Sequence, residues 1–129
     1  MPLVRITLAA GRSATDRRRI ADAIHKALVD TANVPADDRF QVVQEVPADS
    51  LVWDPTYLGQ SRSPHIVFVE ITLNTGRTVE VKKELYSAIA AGLGKAAGVR
   101  PDDVLVNLVE VPRENWSFGG GVMSYPPVT

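Results

Sequence analysis

The sequence predicts an α+β fold in which duplicated β-α-β units form a four-stranded mixed sheet with two helices on one face. Two observations support this prediction. After a shift of 65 residues, the segment 4–47 matches the segment 69–112 without a gap, and 16 of the 44 positions are identical. Each copy also shows the same order of a strand pattern, a helix pattern and a second strand pattern. We expect one domain over residues 1–129, with a first repeat at about 2–47 and a second repeat at about 67–112.

Composition narrows the classes of function that need consideration. The chain has 129 residues, 45% of them hydrophobic, which suits one small globular domain. Its 14 basic and 15 acidic residues give no positive field, so we expect no nucleic-acid partner. The absence of cysteine excludes disulfides and thiolate metal sites, and we expect neither a metal nor a cofactor. The sequence has no apolar run of about 20 residues and no signal-peptide pattern, so we expect a cytoplasmic protein without membrane association.

Each repeat opens with a short run rich in β-branched residues, Val4–Leu8 in the first repeat and Ile66–Leu73 in the second. Such runs are typical of buried strands. A Gly-Arg-Ser or Gly-Arg-Thr turn follows each run. The hydroxyl of Ser13 or Thr78 is placed to accept a hydrogen bond from the first turn of a helix, so each turn predicts a helix start.

The middle of each repeat carries apolar residues at helical spacing, which predicts one amphipathic helix per repeat. These residues are Ile20, Ala23, Ile24, Ala27 and Leu28 in the first repeat, and Leu85, Ile89 and Leu93 in the second. Asn33 and Gly98 suit the carboxyl ends of the helices. A second strand follows in each repeat, at Phe40–Val46 and Val104–Val111.

The two strands of a β-α-β unit run parallel and begin at the same end of the sheet. A pseudo-twofold axis between the repeats then sets their first strands antiparallel to each other and places both helices on one face. The other face would expose apolar strand residues, so we expect a homo-oligomer that covers it. The segments Ala48–His65 and Arg113–Thr129 are rich in Gly, Pro and Ser, which is typical of loops or edge hairpins.

The repeats differ at their first residues. Val67 in the second repeat corresponds to Pro2, and its nitrogen is a mid-chain amide. Only the first repeat can offer a free amine. Removal of Met1 is favoured by the small residue that follows, and it would leave a secondary amine on Pro2. Such an amine can act as a base, an acid or a nucleophile.

The topology predicts which side chains lie near that amine. Asp38 and Arg39 begin the second strand, which is parallel to the first, so they belong at the same end of the sheet as Pro2. The antiparallel first strand of the second repeat finishes there, with the turn Thr75-Gly76-Arg77. A guanidinium beside a helix start can bind a small carboxylate. The opposite end carries Arg12 and Asp103 without an amine, so we expect that end to be structural.

The segments MPLVRI, ADDRF, LNTGRT and WSFGGG together resemble the tautomerase superfamily, and most of all its malonate semialdehyde decarboxylase branch. The resemblance covers essentially the whole chain. It implies a tautomerase (MIF-like) fold, a homotrimer and a catalytic amino-terminal proline. The catalytic residues that it implies are Pro2, Asp38 and Arg77. It further implies a hydrophobic wall of Trp116 and Phe118, with Tyr125 as an additional wall residue. Thr75 is also implied to bind substrate, but it stands at a position where better-known members of the family have the first of two arginines.

Three functions follow from this resemblance. The first is a lyase that decarboxylates a small 3-oxo acid, malonate semialdehyde, to acetaldehyde and carbon dioxide. The second is a keto-enol tautomerase that acts on enols of 2-oxo acids such as phenylpyruvate, which requires the amine to be a general base. The third is a non-catalytic trimer in which Pro2 is occluded, which retention of Met1 would favour.

Overall fold

The computed structural model describes residues 1–127 and contains the predicted sheet. Its four strands are β1 (Leu3–Ala9), β2 (Phe40–Val46), β3 (Val67–Asn74) and β4 (Val104–Val111), in the spatial order β2-β1-β3-β4. Its two long helices are α1 (Ala14–Thr31) and α2 (Val79–Ala97). The element order confirms that each repeat is one β-α-β unit.

Strand pairing follows the pseudo-twofold arrangement. β1 and β2 are parallel, with Leu3 opposite Phe40. β3 and β4 are parallel as well, with Val67 opposite Val104. The two central strands, β1 and β3, are antiparallel. The start of the first repeat therefore lies at the same end of the sheet as the end of β3.

Alternate residues of the two central strands face the helices and form the core. They are Val4, Ile6, Leu8, Val67, Val69, Ile71 and Leu73, all at most 1% exposed. α1 packs Ile20, Ile24 and Leu28 against them, and α2 packs Leu85, Ile89 and Leu93. Each such side chain contributes about 1.5–3 kcal/mol when it leaves water. Because the core residues belong to both repeats, the core holds the two ends of the sheet in a fixed relation.

The helix ends confirm the predicted caps. Ser13 Oγ accepts a hydrogen bond of 3.0 Å from the amide of Asp16, and Thr78 Oγ1 accepts one of 3.2 Å from the amide of Val81. Gly98 ends α2 in the left-handed region, at a φ of 66°. Asn33 has a φ of 56° and lies just beyond α1.

The segment between the repeats is a loop with two short 3-10 turns, and the segment after β4 begins with another, Arg113–Asn115. The end of the second loop, residues 128–129, lies outside the described part of the chain. Among residues 1–127, no helix is both long enough and apolar enough to cross a membrane.

Asp103 ties the second repeat to the loop before it. Its carboxylate is 1% exposed and accepts hydrogen bonds from Ser63, from the amide at 2.7 Å and from the hydroxyl at 2.6 Å. The corresponding end of the first repeat carries an amine, whereas here these two neutral donors, together with the Arg100 guanidinium at 3.6 Å, satisfy the carboxylate. This supports the prediction that the Asp103 end is structural.

We predict that Asp103→Ala lowers the free energy of unfolding by about 2–4 kcal/mol, because two partly buried donors of Ser63 lose their partner and the Asp103 position itself is buried. Urea unfolding measures this change. Asp102→Ala is the matched control, since Asp102 is partly exposed and its contacts are an exposed amide bond from Ser61 and a long ion pair of 3.8 Å with Arg100. Its cost should stay within about 0.5 kcal/mol. Equal costs for the two variants would contradict the assignment.

Candidate active site

The amino terminus lies in a niche at one end of the sheet. Pro2 is buried at the start of β1, and the Met1 ammonium contacts Asp38 Oδ2. Asp38 is held by a turn in which its amide donates to the carbonyl of Pro35 at 3.0 Å. The parallel register, which pairs Leu3 with Phe40, brings the residues before the two strands together. Pro2 and Asp38 thus lie at the same end, as the topology predicts.

The niche changes the acidity of the amine inside it. Burial and, as a second cause, the positive charge of Arg77 lower the pKa of the Met1 α-amino group from 8.0 to about 6. The contact with Asp38 acts in the opposite sense, because a carboxylate favours the charged amine. The amine therefore contacts a carboxylate that favours its protonated form, while the charge of Arg77 disfavours that form.

Arg77 reaches the niche from the turn after β3. Its Nε and Nη2 donate to the carbonyl of Ala32 at 3.1 and 2.9 Å, and its Nη1 donates to the carbonyl of Asn74 at 3.3 Å. Three of its five N–H groups are thus used to hold the end of α1 and the end of β3. Its burial lowers the pKa of the guanidinium, which nevertheless stays charged. Arg77 is both a structural clamp and a positive charge beside the amine.

Asn74 is a site residue that the sequence analysis missed. Its side chain is 4% exposed. The amide nitrogen contacts Sδ of Met1, and the amide oxygen accepts a hydrogen bond of 2.6 Å from Nε1 of Trp116. Asn74 therefore connects the amino terminus to the aromatic wall. One signal could have revealed it, because the internal alignment pairs this polar residue at the end of a buried strand with Ala9.

The aromatic residues predicted to form a wall contact one another in a cluster that also includes Phe40, the first residue of β2. Trp116 and Phe118 stack, with ring centroids 5.1 Å apart and an angle of 9° between the planes. The ring of Tyr125 contacts Phe118 edge-on, with the ring centroids 5.9 Å apart. The ring of Phe40 also contacts Phe118, with the centroids 5.2 Å apart. The tail folds back to make this cluster, since the amide of Phe118 donates to the hydroxyl of Ser124 at 2.8 Å. Trp116 is linked to the amino-terminal residue through Asn74, which contacts both.

Two of the residues that were predicted to lie near the amine, Thr75 and Arg39, have hydrogen-bond or ion-pair partners outside the niche. Thr75 is exposed, and its amide and hydroxyl donate to the carbonyl of Val111 at 3.1 and 3.4 Å, at the end of β4. Arg39 forms an ion pair with Asp22 on α1 at 2.6 Å. In residues 1–127, no group of three or more His, Asp or Glu side chains is arranged to hold a metal ion.

The chain matches two family models, both described as tautomerase enzyme, over residues 38–119 and 2–61. It is 38% identical to the probable tautomerase YusQ of Bacillus subtilis (strain 168) over 121 residues, which are 94% of this chain and 95% of that protein. The matches to the family models and to YusQ together span both repeats.

Solved structures give the same placement. The structure of FG41 malonate semialdehyde decarboxylase inhibited by 3-bromopropiolate superposes with a TM-score of 0.90 at 38% identity, over 95% of this chain and 93% of that one. A malonate semialdehyde decarboxylase whose wild-type, mutant and inactivated forms have been solved gives 0.88 at 36% identity, over 94% and 93%. The chain therefore belongs to the tautomerase superfamily of enzymes and lies in its malonate semialdehyde decarboxylase-like branch.

Proposed function

We propose that this protein decarboxylates a small 3-oxo acid, with malonate semialdehyde as the substrate and acetaldehyde and carbon dioxide as the products. The observation that carries the proposal is the position of the amino terminus, which lies at the start of β1 against Asp38 and close enough to Arg77 to feel its charge. The two decarboxylase structures that superpose on the chain support the same chemistry.

The proposal requires removal of Met1, because its carbonyl carbon makes the Pro2 nitrogen an amide. The position of Met1 then indicates where the substrate would bind. Its side chain lies against Asn74 and its ammonium against Asp38, beside the Pro2 nitrogen. A substrate of a few heavy atoms would take this place after processing. Its polar atoms would meet the donor of Asn74 where the sulfur of Met1 lies now.

The reaction needs a group that accepts the electron pair of the carbon-carbon bond that breaks. Decarboxylation breaks the bond between C1 and C2, and C1 leaves as carbon dioxide. The electron pair moves into the C3 carbonyl, which the Pro2 amine activates either by a hydrogen bond from its protonated form or by condensation. A proton then adds to C2. In the hydrogen-bonded route this step completes acetaldehyde; in the condensation route, in which water left when the amine joined C3, it gives an iminium ion that water hydrolyses to acetaldehyde and the free Pro2 amine. Asp38 favours the protonated amine, and Arg77 provides the positive charge that orients the substrate carboxylate.

The aromatic wall has a distinct task in this mechanism. Trp116, which donates to Asn74, and Phe118, which stacks on Trp116, would supply the apolar surface of the niche. A carboxylate against such a surface loses hydration, whereas neutral carbon dioxide does not depend on it. The wall thus favours the departure of carbon dioxide, and Tyr125 extends it by its edge-on contact with Phe118.

Keto-enol tautomerisation is a second candidate, which the acidity of the amine favours. An amine with a pKa of about 6 is mostly neutral at pH 7 and can act as a general base. A processed Pro2 with a similar pKa would move a proton between carbon and oxygen in an enol such as that of phenylpyruvate. The probable tautomerase YusQ supports this candidate at the same identity as the first decarboxylase structure.

We predict that Pro2→Ala lowers kcat/KM for malonate semialdehyde by roughly 100-fold or more, because the reacting secondary amine is lost. Intact mass must first show that Met1 has been removed from both proteins. Malonate semialdehyde and phenylpyruvate enol are assayed side by side on the same preparation. A higher kcat/KM for phenylpyruvate enol than for malonate semialdehyde would favour tautomerisation over decarboxylation as the function. Full activity of Pro2→Ala, or inactivity of processed wild type on both substrates, would contradict the enzymatic proposal.

Arg77→Ala and Arg12→Ala make a matched pair for the same assay. Each variant removes an arginine that donates to the last turn of the other repeat's helix, at Ala32 or Ala97. We predict that Arg77→Ala raises KM by roughly tenfold or more, whereas Arg12→Ala leaves KM near the wild-type value. Equal effects would assign Arg77 a structural role alone.

We further propose a homotrimer, because the sheet face opposite the helices presents exposed apolar side chains. They include Phe40, Val42, Leu105 and Val109, which are 38–47% exposed. We predict a mass three times the 14.0 kDa of one chain in light scattering, and dissociation in Val42→Glu. Lys26→Glu, on the exposed face of α1, is the control and should stay assembled. A monomeric wild type would contradict the proposal.

A further inference from the structure

The two Gly-Arg turns are held by the same set of contacts, which makes any difference between them informative. In the first repeat Glu45 accepts from the amide of Gly11 at 3.2 Å and pairs with Arg17 at 2.9 Å. In the second repeat Glu110 accepts from the amide of Gly76 and pairs with Lys82 at 2.5 Å. These residues correspond one to one at the shift of 65 positions.

One contact is not repeated. Arg12 forms an ion pair of 2.6 Å with Asp16, three residues after the cap of α1. The corresponding residue of α2 is Val81, an apolar side chain packed against the core. Among residues 1–127, no carboxylate lies within 4.0 Å of the Arg77 guanidinium. Arg12 is therefore neutralised locally, and its twin beside the amine is not.

The surroundings of Arg77 limit what else could balance its charge. The end of α1 and the end of β3 offer it only the neutral carbonyls of Ala32 and Asn74. Glu110 on β4 acts on it at longer range, and Lys82 of α2 pairs with that same carboxylate. The amine itself faces Asp38 and Arg77. The positive charge of Arg77 thus remains available to the niche.

We propose that Val81 is a positioning residue for the charge of the site: by denying Arg77 the carboxylate that Arg12 has, it leaves the guanidinium to act on the Pro2 amine and on the substrate carboxylate. The inference rests on the proposed function, in which both groups react. It assigns a role to a side chain that touches neither.

The test restores the missing carboxylate. In Val81→Asp, the new side chain occupies the same position relative to Arg77 as Asp16 does to Arg12, at a helix start where an acidic residue is favourable. A positive charge disfavours the protonated amine, so its neutralisation should raise the pKa of the Pro2 amine by about 1. Titration of processed protein labelled with ¹⁵N-proline measures that pKa without any assay of activity. Where the enzyme is active, KM should also rise by roughly tenfold.

Matched variants separate charge from packing. Val81→Asn has nearly the same size as Val81→Asp without the charge, and the pKa of its amine should stay at the wild-type value. Asp16→Val, which frees Arg12 at the other end of the sheet, should leave the amine unchanged as well. Equal pKa values in Val81→Asp and Val81→Asn would overturn the proposal. Because the titration does not depend on turnover, a failure of the proposed reaction gives a different result from a failure of this inference.

Glu110→Gln provides a second test should Val81→Asp not fold, because Glu110 is exposed and its loss leaves the core intact. Removal of this carboxylate frees more of the Arg77 charge, so the pKa of the amine should fall. The shift should disappear in an Arg77→Met background, and Glu45→Gln should produce none. A fall in pKa that persists in the Arg77→Met background would overturn the proposal.

Discussion

Parallel pairing of β1 with β2 is the constraint on which the site depends. With Leu3 opposite Phe40, the residues that precede both strands meet at one end of the sheet. The amino terminus and Asp38 are in contact for this reason, although 37 positions separate them. The antiparallel pairing of β1 with β3 then brings the turn with Arg77 to the same end. The strand pairing alone thus brings side chains from both repeats to one end of the sheet.

Duplication explains both what is shared and what is specific. Each turn carries an arginine that donates to the end of the other repeat's helix, and a glutamate on the second strand of each repeat accepts from the glycine amide of the turn. These contacts are therefore part of the scaffold. The ends differ where the chain supplies an amine to Asp38 but the amide and hydroxyl of Ser63, with Arg100 at 3.6 Å, to Asp103. They differ again where Asp16 is replaced by Val81. We propose that these differences carry the function, since the shared contacts alone would make two equivalent ends.

Much of the fold was predictable, because the internal repeat fixes the order of the elements and the apolar periodicity fixes their faces. The proximity of Pro2, Asp38 and Arg77 followed from topology alone. Asn74 and Val81 did not, because their importance lies in contacts that no local pattern encodes. Likewise, the sequence pairs Arg77 with Arg12 but does not show that most of the guanidinium donors of Arg77 hold backbone carbonyls. Such details depend on side-chain geometry where the turn after β3 contacts the end of α1.

The central claim is that Asp38 controls the protonation of an amine at the start of β1. Titration of the Pro2 nitrogen in processed wild type and in Asp38→Asn tests it most directly. Asp38 favours the charged amine, so its neutralisation should lower the pKa of Pro2 while burial and Arg77 continue to act. The account predicts a lower value in the variant. The same pKa in both proteins would contradict it.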